Sequence, residues 1–202
     1  MNPSELIRLQ ITLEYALDEA GRLVPFPGSS EQGLYIVYRH AQGYIPFYNH
    51  CLPQELCERL AGLDSAQAFE TPDAVATLLQ SYAPARLEGR FVSEFIPHPP
   101  QLADIPQVIF RDGQFVVLEQ GEPVCWAWSE RSNEHCAEVA VETHPAHRRK
   151  GYARRAVAAW AHQVIGSGRA ALYSYKAENA ASRALARSLG AAWYADVVCY
   201  ST

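Results

Sequence analysis

The sequence predicts a mixed α/β fold, in which helices flank a central mixed sheet and an N-terminal lobe is added. Four short runs rich in β-branched and aromatic residues follow one another at intervals of about ten residues, over 108–110, 115–118, 124–128 and 136–141. Asp112-Gly113 and Gly121 supply turn residues between them. This spacing predicts an antiparallel meander.

The meander passes into a helix–strand–helix–strand segment. A helix is predicted over about 151–165 because Ala153, Val157, Trp160 and Val164 form an apolar stripe with helical spacing. A strand follows over 170–175, a second helix over 179–189 and a last strand over 193–200. A helix between two strands predicts a parallel crossover, so the sheet is mixed.

The first hundred residues carry weaker patterns. The run 34–38 and the run 91–96 are typical of strands, and helices are predicted over about 53–63 and 71–82. Pro97, Pro99 and Pro100 form the strongest break in the chain. We therefore expect an N-terminal lobe over 1–100 and a second domain over 101–202.

Composition narrows the function classes. The formal net charge is −5, which disfavours a general nucleic-acid binder. The five cysteines are odd in number and contain no C-x-x-C pair, so neither a disulfide framework nor a metal site is expected. No apolar stretch approaches the ~20 residues of a membrane span, and no leader is recognisable. A cytoplasmic protein without a membrane partner is the expectation.

The run from Arg148 to Ala153, Arg-Arg-Lys-Gly-Tyr-Ala, carries the sharpest chemical signal. It lies where a strand gives way to a helix, so unsatisfied backbone N–H groups and the helix dipole coincide with three cationic side chains. Gly151 lacks the Cβ that would obstruct a phosphate. The turn suits a pyrophosphate, although the same run is compatible with a solvated basic loop before an amphipathic helix.

The segment 138–153, EVAVETHPAHRRKGYA, resembles the acetyl-CoA-binding motif of the GCN5-related N-acetyltransferases (GNAT). Asn179-Ala-Ala-Ser182 and Leu189-Gly190 resemble the later helix of that family. The resemblance covers about residues 107–202. It implies a central sheet with two splayed parallel strands and N-acyl transfer from acetyl-CoA. The two early helices belong either to this fold or to a separate lobe.

The resemblance also implies roles for individual residues. The amides of Arg149, Lys150, Gly151, Tyr152 and Ala153 would hold the pyrophosphate of CoA, with Arg148 at the first position of the motif. Backbone groups of Val141 and Thr143 would pair with pantetheine, and the Val141 N–H would face the thioester carbonyl as an oxyanion donor. Asn179 and Ser182 would face the pantetheine arm, although Asn179 is equally well explained as a helix cap.

Catalytic residues are less sharply indicated. Many GNAT proteins carry a tyrosine as general acid seven residues after the helix asparagine, where this chain has Ala186. Tyr173, Tyr175 or Tyr152 could substitute, or water could. Glu138 and Glu142 are four residues apart on one strand and so share a face, which makes both candidate general bases.

Other candidates are weaker. His135 and His144 lie in predicted loops. Trp126 and Trp128 share one strand face, as do Tyr173 and Tyr175, and aromatic residues with this spacing are more often core than ligand platforms. We expect direct acetyl transfer from acetyl-CoA to the amine of a small molecule or peptide in a ternary complex, by a monomer or homodimer, without metal or nucleic acid. The rival hypotheses are an acyl-CoA-binding sensor or interaction module that lacks catalysis and a nucleic-acid-binding domain that uses Arg148 to Lys150.

Overall fold

The computed structural model describes residues 1–29, 33–63, 65–101 and 108–202. The elements in chain order are α1 Pro3–Ile11, β1 Tyr15–Leu17, β2 Leu23–Pro25, β3 Gly33–His40, β4 Gly43–Tyr48, α2 Gln54–Ala61, α3 Gln67–Glu70, α4 Pro72–Leu79, β5 Arg86–Ile96, β6 Val108–Arg111, β7 Gln114–Glu119, β8 Glu122–Ser132, β9 Cys136–Thr143, a 3₁₀ turn Pro145–His147, α5 Tyr152–Gly166, β10 Ala170–Lys176, α6 Ala180–Ser188 and β11 Ala192–Ser201. The predicted mixed α/β class is confirmed.

The chain forms two compact units, one made of Met1–Val92 with Tyr194–Thr202 and the other of Ser93–Trp193. The first unit contains the strand order β4-β3-β11, in which both pairs are antiparallel. Its core packs α2 and α4 against β3 and β11, and buried Tyr200 donates a hydrogen bond to the Ala68 carbonyl over 2.7 Å. The domain limits expected from the sequence, 1–100 and 101–202, stay a prediction.

The start of the chain is more regular than its sequence pattern indicated. Helix α1 begins with a capping box, because the Asn2 side chain accepts from the Glu5 amide while the Glu5 carboxylate accepts from the Asn2 amide. Strand β4 pairs with β3 along its whole length despite Pro46. Neither element was predicted from the sequence.

In the second unit the strands follow the order β10-β9-β8-β7-β6. The pairs from β6 to β9 are antiparallel, whereas β9 and β10 are parallel, which confirms the meander and the crossover. The turns between β6, β7 and β8 place Asp112-Gly113 and Gln120-Gly121 at positive φ, the conformation of tight type I′ hairpins. Helix α5 packs on β8 and β9, and buried Trp160 donates to the Ser129 hydroxyl over 2.9 Å.

Two features are absent from the described part of the chain. None of its helices combines the length and apolar character needed to cross a membrane. No group of three or more His, Cys, Asp or Glu side chains within 1–29, 33–63, 65–101 and 108–202 is arranged to hold a metal ion.

Candidate functional site

The basic turn lies between β9 and α5. Arg149 (φ 67°) and Gly151 (φ 80°) both adopt left-handed backbone conformations, and Gly151 is the N-cap of α5 without any capping side chain. The amides of the first helical turn have no acceptor within the helix, and the dipole of a 15-residue helix adds positive potential there. The turn therefore presents free N–H donors beside exposed cationic side chains.

Strands β9 and β10 are paired over only part of their length. Their register joins Ala170–Cys136, Ala171–Ala137 and Leu172–Glu138, while β9 continues to Thr143 and β10 to Lys176. On the other side β9 is paired with β8 throughout, from Ala137 to Thr143. Beyond Glu138, β9 consequently has one edge that its parallel neighbour does not cover.

The backbone groups on that edge can be assigned from the hydrogen-bond alternation. The His144 N–H donates to the Val124 carbonyl over 2.9 Å, so in this antiparallel ladder alternate residues of β9 bond to β8. Val141 and Thr143 belong to the alternate residues that do not bond to β8, so their N–H and C=O groups point towards the uncovered edge of β9. The Thr143 carbonyl accepts from Arg148 Nε over 3.3 Å, whereas pairing with pantetheine had been expected there.

A cavity of about 660 Å³ joins the basic turn, the end of β9 and the first turns of α6. Nine of the ten residues expected to bind the cofactor line it: Val141, Thr143, Arg148, Arg149, Gly151, Tyr152, Ala153, Asn179 and Ser182. Glu142, His147, Arg154, Ala181, Ala184, Leu185 and Ser188 complete the lining. Segments that are far apart in sequence thus meet around one concavity, which cationic side chains and the amides at the start of α5 border.

Lys150 does not line this cavity, because it is bound to an acidic residue that the sequence pattern gave no reason to select. Glu119 on β7 accepts from Lys150 Nζ over 3.2 Å, from His147 Nδ1 over 2.5 Å and from the Tyr152 hydroxyl. The Tyr152 hydrogen bond, supported by Lys150 and His147, lowers the pKa of the Glu119 carboxyl to about 2. Glu119 therefore ties three residues of the basic turn to the sheet.

The α6 wall of the cavity combines a cap with a buried tyrosine. The Asn179 side-chain oxygen accepts from the Ser182 amide over 3.0 Å, so Asn179 does act as the N-cap of α6. The Ser182 hydroxyl is hydrogen-bonded to Tyr173 on β10. Burial raises the pKa of Tyr173 to about 12, and its side chain is shielded from the cavity.

The two candidate bases occupy different environments. Glu138 is 4% exposed, accepts from Ser174 over 2.5 Å and from Arg131 over 3.3 Å, and lines no part of the cavity. Glu142 is exposed and lines it. Ala186, at the position of the usual tyrosine, is fully buried.

A second unpredicted carboxylate lies at the end of β5. The Tyr175 hydroxyl donates to Glu94 Oε1 over 3.1 Å, and burial raises the pKa of Glu94. Glu94 and Tyr175 are 81 positions apart, so no local spacing could have indicated the contact. Tyr173 and Tyr175, whose rings lie 5.9 Å apart, are both buried as the periodicity had favoured.

The similarity to a known protein family falls on the segment that builds this cavity. Residues 113–201 match the family model of the GNAT acetyltransferases. The resemblance expected over about 107–202 is thereby confirmed for this segment, which includes β9, the basic turn and α6. No curated protein matches the chain.

Solved GNAT structures share the fold. An acetyltransferase from Colwellia psychrerythraea has a TM-score of 0.53 and 10% identity, covering 100% of this chain and 98% of its own. A GCN5-related N-acetyltransferase-like protein from Streptococcus suis has a TM-score of 0.50 and 16% identity, covering 87% of this chain and 86% of its own. At such identities the likeness shows the fold alone, which is the GNAT-type mixed α/β fold.

A third structure matches a smaller part of the chain. For a GNAT-family protein from Novosphingobium aromaticivorans the identity is 19% and the TM-score 0.49, and the match covers 57% of this chain. This chain spans 66% of the length of that protein.

Proposed function

We propose that this protein is an acyl-CoA-dependent N-acyltransferase that transfers acetyl from acetyl-CoA to an amine. The observation that carries the proposal is the cavity that joins free amides at the start of α5 to the open edge of β9. A ligand with a phosphate end and an extended amide-bearing arm matches both parts of this cavity. Coenzyme A has this chemistry.

The phosphate end would lie at the basic turn. There the amides around Gly151 and the guanidinium of Arg148 offer charge-assisted hydrogen bonds. The pantetheine arm would run along the edge of β9, where Val141 presents its backbone groups, and past Ser182 on α6. Because Lys150 is held by Glu119, it would contribute to the potential of the turn more than to direct contact.

In the chemical step the neutral amine nitrogen attacks the thioester carbonyl carbon. The N–C bond forms, and the Val141 N–H stabilises the negative charge that develops on the carbonyl oxygen. The C–S bond then breaks, its electron pair leaves with the sulfur, and the extra proton of the nitrogen passes to the departing thiolate directly or through water. The products are an N-acetyl amide and CoA.

Glu142 is the base that the geometry favours, since it lines the cavity and is accessible to an incoming amine. Glu138 is enclosed by Arg131 and Ser174, which join it to β8 and β10, and it would position the strands. A thiol has a pKa of about 8.5, so CoA thiolate can leave near neutral pH without a strong acid.

One observation favours a second candidate, an acyl-CoA-binding sensor without turnover. The family's usual acid position is Ala186, which is fully buried. Both candidates require CoA binding, and only the enzyme releases CoA thiol when an amine is added.

The deciding experiment is a titration of the full chain with acetyl-CoA, followed by a thiol-release screen over amines. We expect micromolar affinity and thiol release with at least one amine. Binding without release from any amine would favour the sensor, and no binding at all would refute both. Steeply salt-dependent binding to oligonucleotides with no acetyl-CoA binding would point to the nucleic-acid alternative.

A further inference from the structure

A second concavity, of about 350 Å³, opens beside Glu142 and is distinct from the cavity of the basic turn. We call it the tryptophan cleft; it is lined by Gln114, Trp126, Trp128, Glu142, His144 and Pro145. Glu142 is the residue common to both linings. Whatever binds in the tryptophan cleft therefore lies next to the end of β9, where the acyl group would be.

The strand register explains how the cleft forms. Trp126 lies directly opposite Glu142 across β8 and β9, and Trp128 lies opposite Ala140. Directly opposed residues of antiparallel strands project from the same face, so two indoles and one carboxylate share a surface.

This surface is the face of the sheet opposite α5. Ser129, which bonds to Trp160 of α5, alternates with Trp128 along β8 and therefore projects from the other face. A ligand could enter the tryptophan cleft from one face while CoA occupies the cavity at the helix N-termini. The two would approach each other at Glu142.

The indole of Trp128 makes a hydrogen bond at its polar edge. Its Nε1 donates to Glu130 Oε2 over 2.8 Å, which satisfies the polar edge of the ring. Both tryptophans are only half-buried, so apolar ring surface remains open to a ligand. Indole faces attract cations as well as alkyl groups, and Glu142 is the one carboxylate among the cleft-lining residues that the structure describes.

We propose that the tryptophan cleft is the acceptor site and that it selects a primary amine on an apolar carbon skeleton. The acceptor arrives as an ammonium ion, which lies between Glu142 and Trp126, while its carbon chain covers Trp128. Loss of a proton from the ammonium to Glu142 leaves the neutral amine for attack on the thioester. A carboxylate on the acceptor would be repelled by Glu142.

This inference rests on the proposed function but can be tested without CoA. The probes are hexylamine, its uncharged counterpart 1-hexanol, and norleucine, which adds a carboxylate. In calorimetric titrations of the full chain we expect hexylamine to bind about tenfold more tightly than each of the other two. Equal or tighter binding of either would overturn the inference.

Variants inside and outside the tryptophan cleft show whether hexylamine binds there. Trp128→Leu and Glu142→Gln should each weaken hexylamine at least fivefold. Trp193→Leu removes an exposed tryptophan outside the cleft, and Glu134→Gln removes an exposed carboxylate at the far end of the β8–β9 hairpin; both should bind as wild type. Thermal unfolding of all four variants checks folding. If the cleft variants bind hexylamine like the controls, the cleft is not its site.

The thiol-release assay separates this inference from the proposed function. Release with hexylamine but not with aniline, which is uncharged at pH 7, supports both. Release with aniline as efficient as with hexylamine overturns the cationic acceptor while the proposed function stands. Release with no amine, despite cleft-dependent hexylamine binding, overturns the proposed function and leaves the cleft as an amine-binding site.

Discussion

The substitution Gly151→Ala tests whether the basic turn holds a ligand or is only a structural turn. Gly151 has φ 80°, and an added Cβ would meet no protein atom within 4 Å. In the protein without ligand, the substitution therefore costs only the strain of placing an L-residue in the left-handed region. This strain lowers the free energy of unfolding by about 1–2 kcal/mol. In a chain of this size that corresponds to a decrease in Tm of roughly 2–8 °C.

The effect on acetyl-CoA should exceed this structural cost. The added methyl group would project where a phosphate approaches the α5 amides, because Gly151 lines the cavity. Displacing the phosphate from one charge-assisted hydrogen bond removes about 1.5–3 kcal/mol, or roughly 10- to 100-fold in Kd. Calorimetric titration of the folded variant with acetyl-CoA measures the change directly.

The chain offers a matched control in Gly168, after the end of α5. Gly168 has φ 81°, does not line the cavity, and would likewise bring an added Cβ within 4 Å of no protein atom. Gly168→Ala should lower Tm by a similar amount and leave acetyl-CoA affinity unchanged. Equal affinity losses in the two variants, or none in Gly151→Ala, would refute the assignment of the turn as a phosphate site.

Three further predictions concern the same unit. Arg148→Ala should weaken the binding of CoA about tenfold and leave the affinity for hexylamine unchanged, because Arg148 lines the cavity of the basic turn and not the tryptophan cleft. Equal losses of affinity for the two ligands in paired titrations would indicate a general structural defect. Glu119→Gln should lower Tm at neutral pH. Because the folded protein depresses the pKa of Glu119 to about 2, the difference in Tm between variant and wild type should shrink as the pH falls from about 4.3 towards 2. A Tm difference that stays constant across that range would contradict the ionised contact. Glu142→Gln should lower kcat/KM roughly 10²–10⁴-fold near pH 7 and change CoA affinity little. The loss should be smaller at high pH, where the acceptor amine is already neutral. A wild-type pH–rate profile would exclude Glu142 as the base.

The elements that could be predicted are those whose signals are local. The meander from β6 to β9 could be predicted because strand-like runs alternate with turn residues. Helix α5 could be predicted because its apolar stripe is long. Strand β4 was missed since Pro46 disfavours a strand, although a proline is compatible with the end position of β4 in the strand order. Helix α1 was missed although Asn2 and Glu5 have capping-box spacing, because its pattern is short.

The candidate site divides in the same way. Arg148 to Ala153 could be selected as a candidate because the glycine and the cationic residues expected of an anion-binding turn are contiguous in sequence. Glu119 could not, since it lies 31 positions before Lys150 and acquires its role only through the pairing of β7 with β8. The tryptophan cleft could not be predicted either. Periodicity shows that Trp126 and Trp128 share a strand face, but it does not show whether another element covers that face.

The absence of the usual tyrosine is less damaging to an enzymatic role than the sequence alone suggests. Ala186 is fully buried one helical turn after Ser182, so a tyrosine there would have to displace packed side chains and would lower stability. Burial raises the pKa of Tyr173 to about 12, so this tyrosine would be a weak acid towards a thiolate whose thiol has a pKa of about 8.5. A thiolate of that basicity can leave near neutral pH without a tyrosine acid, and the proton that the amine nitrogen releases after attack can pass to the sulfur directly or through water. The proposed reaction therefore does not require a tyrosine in place of Ala186.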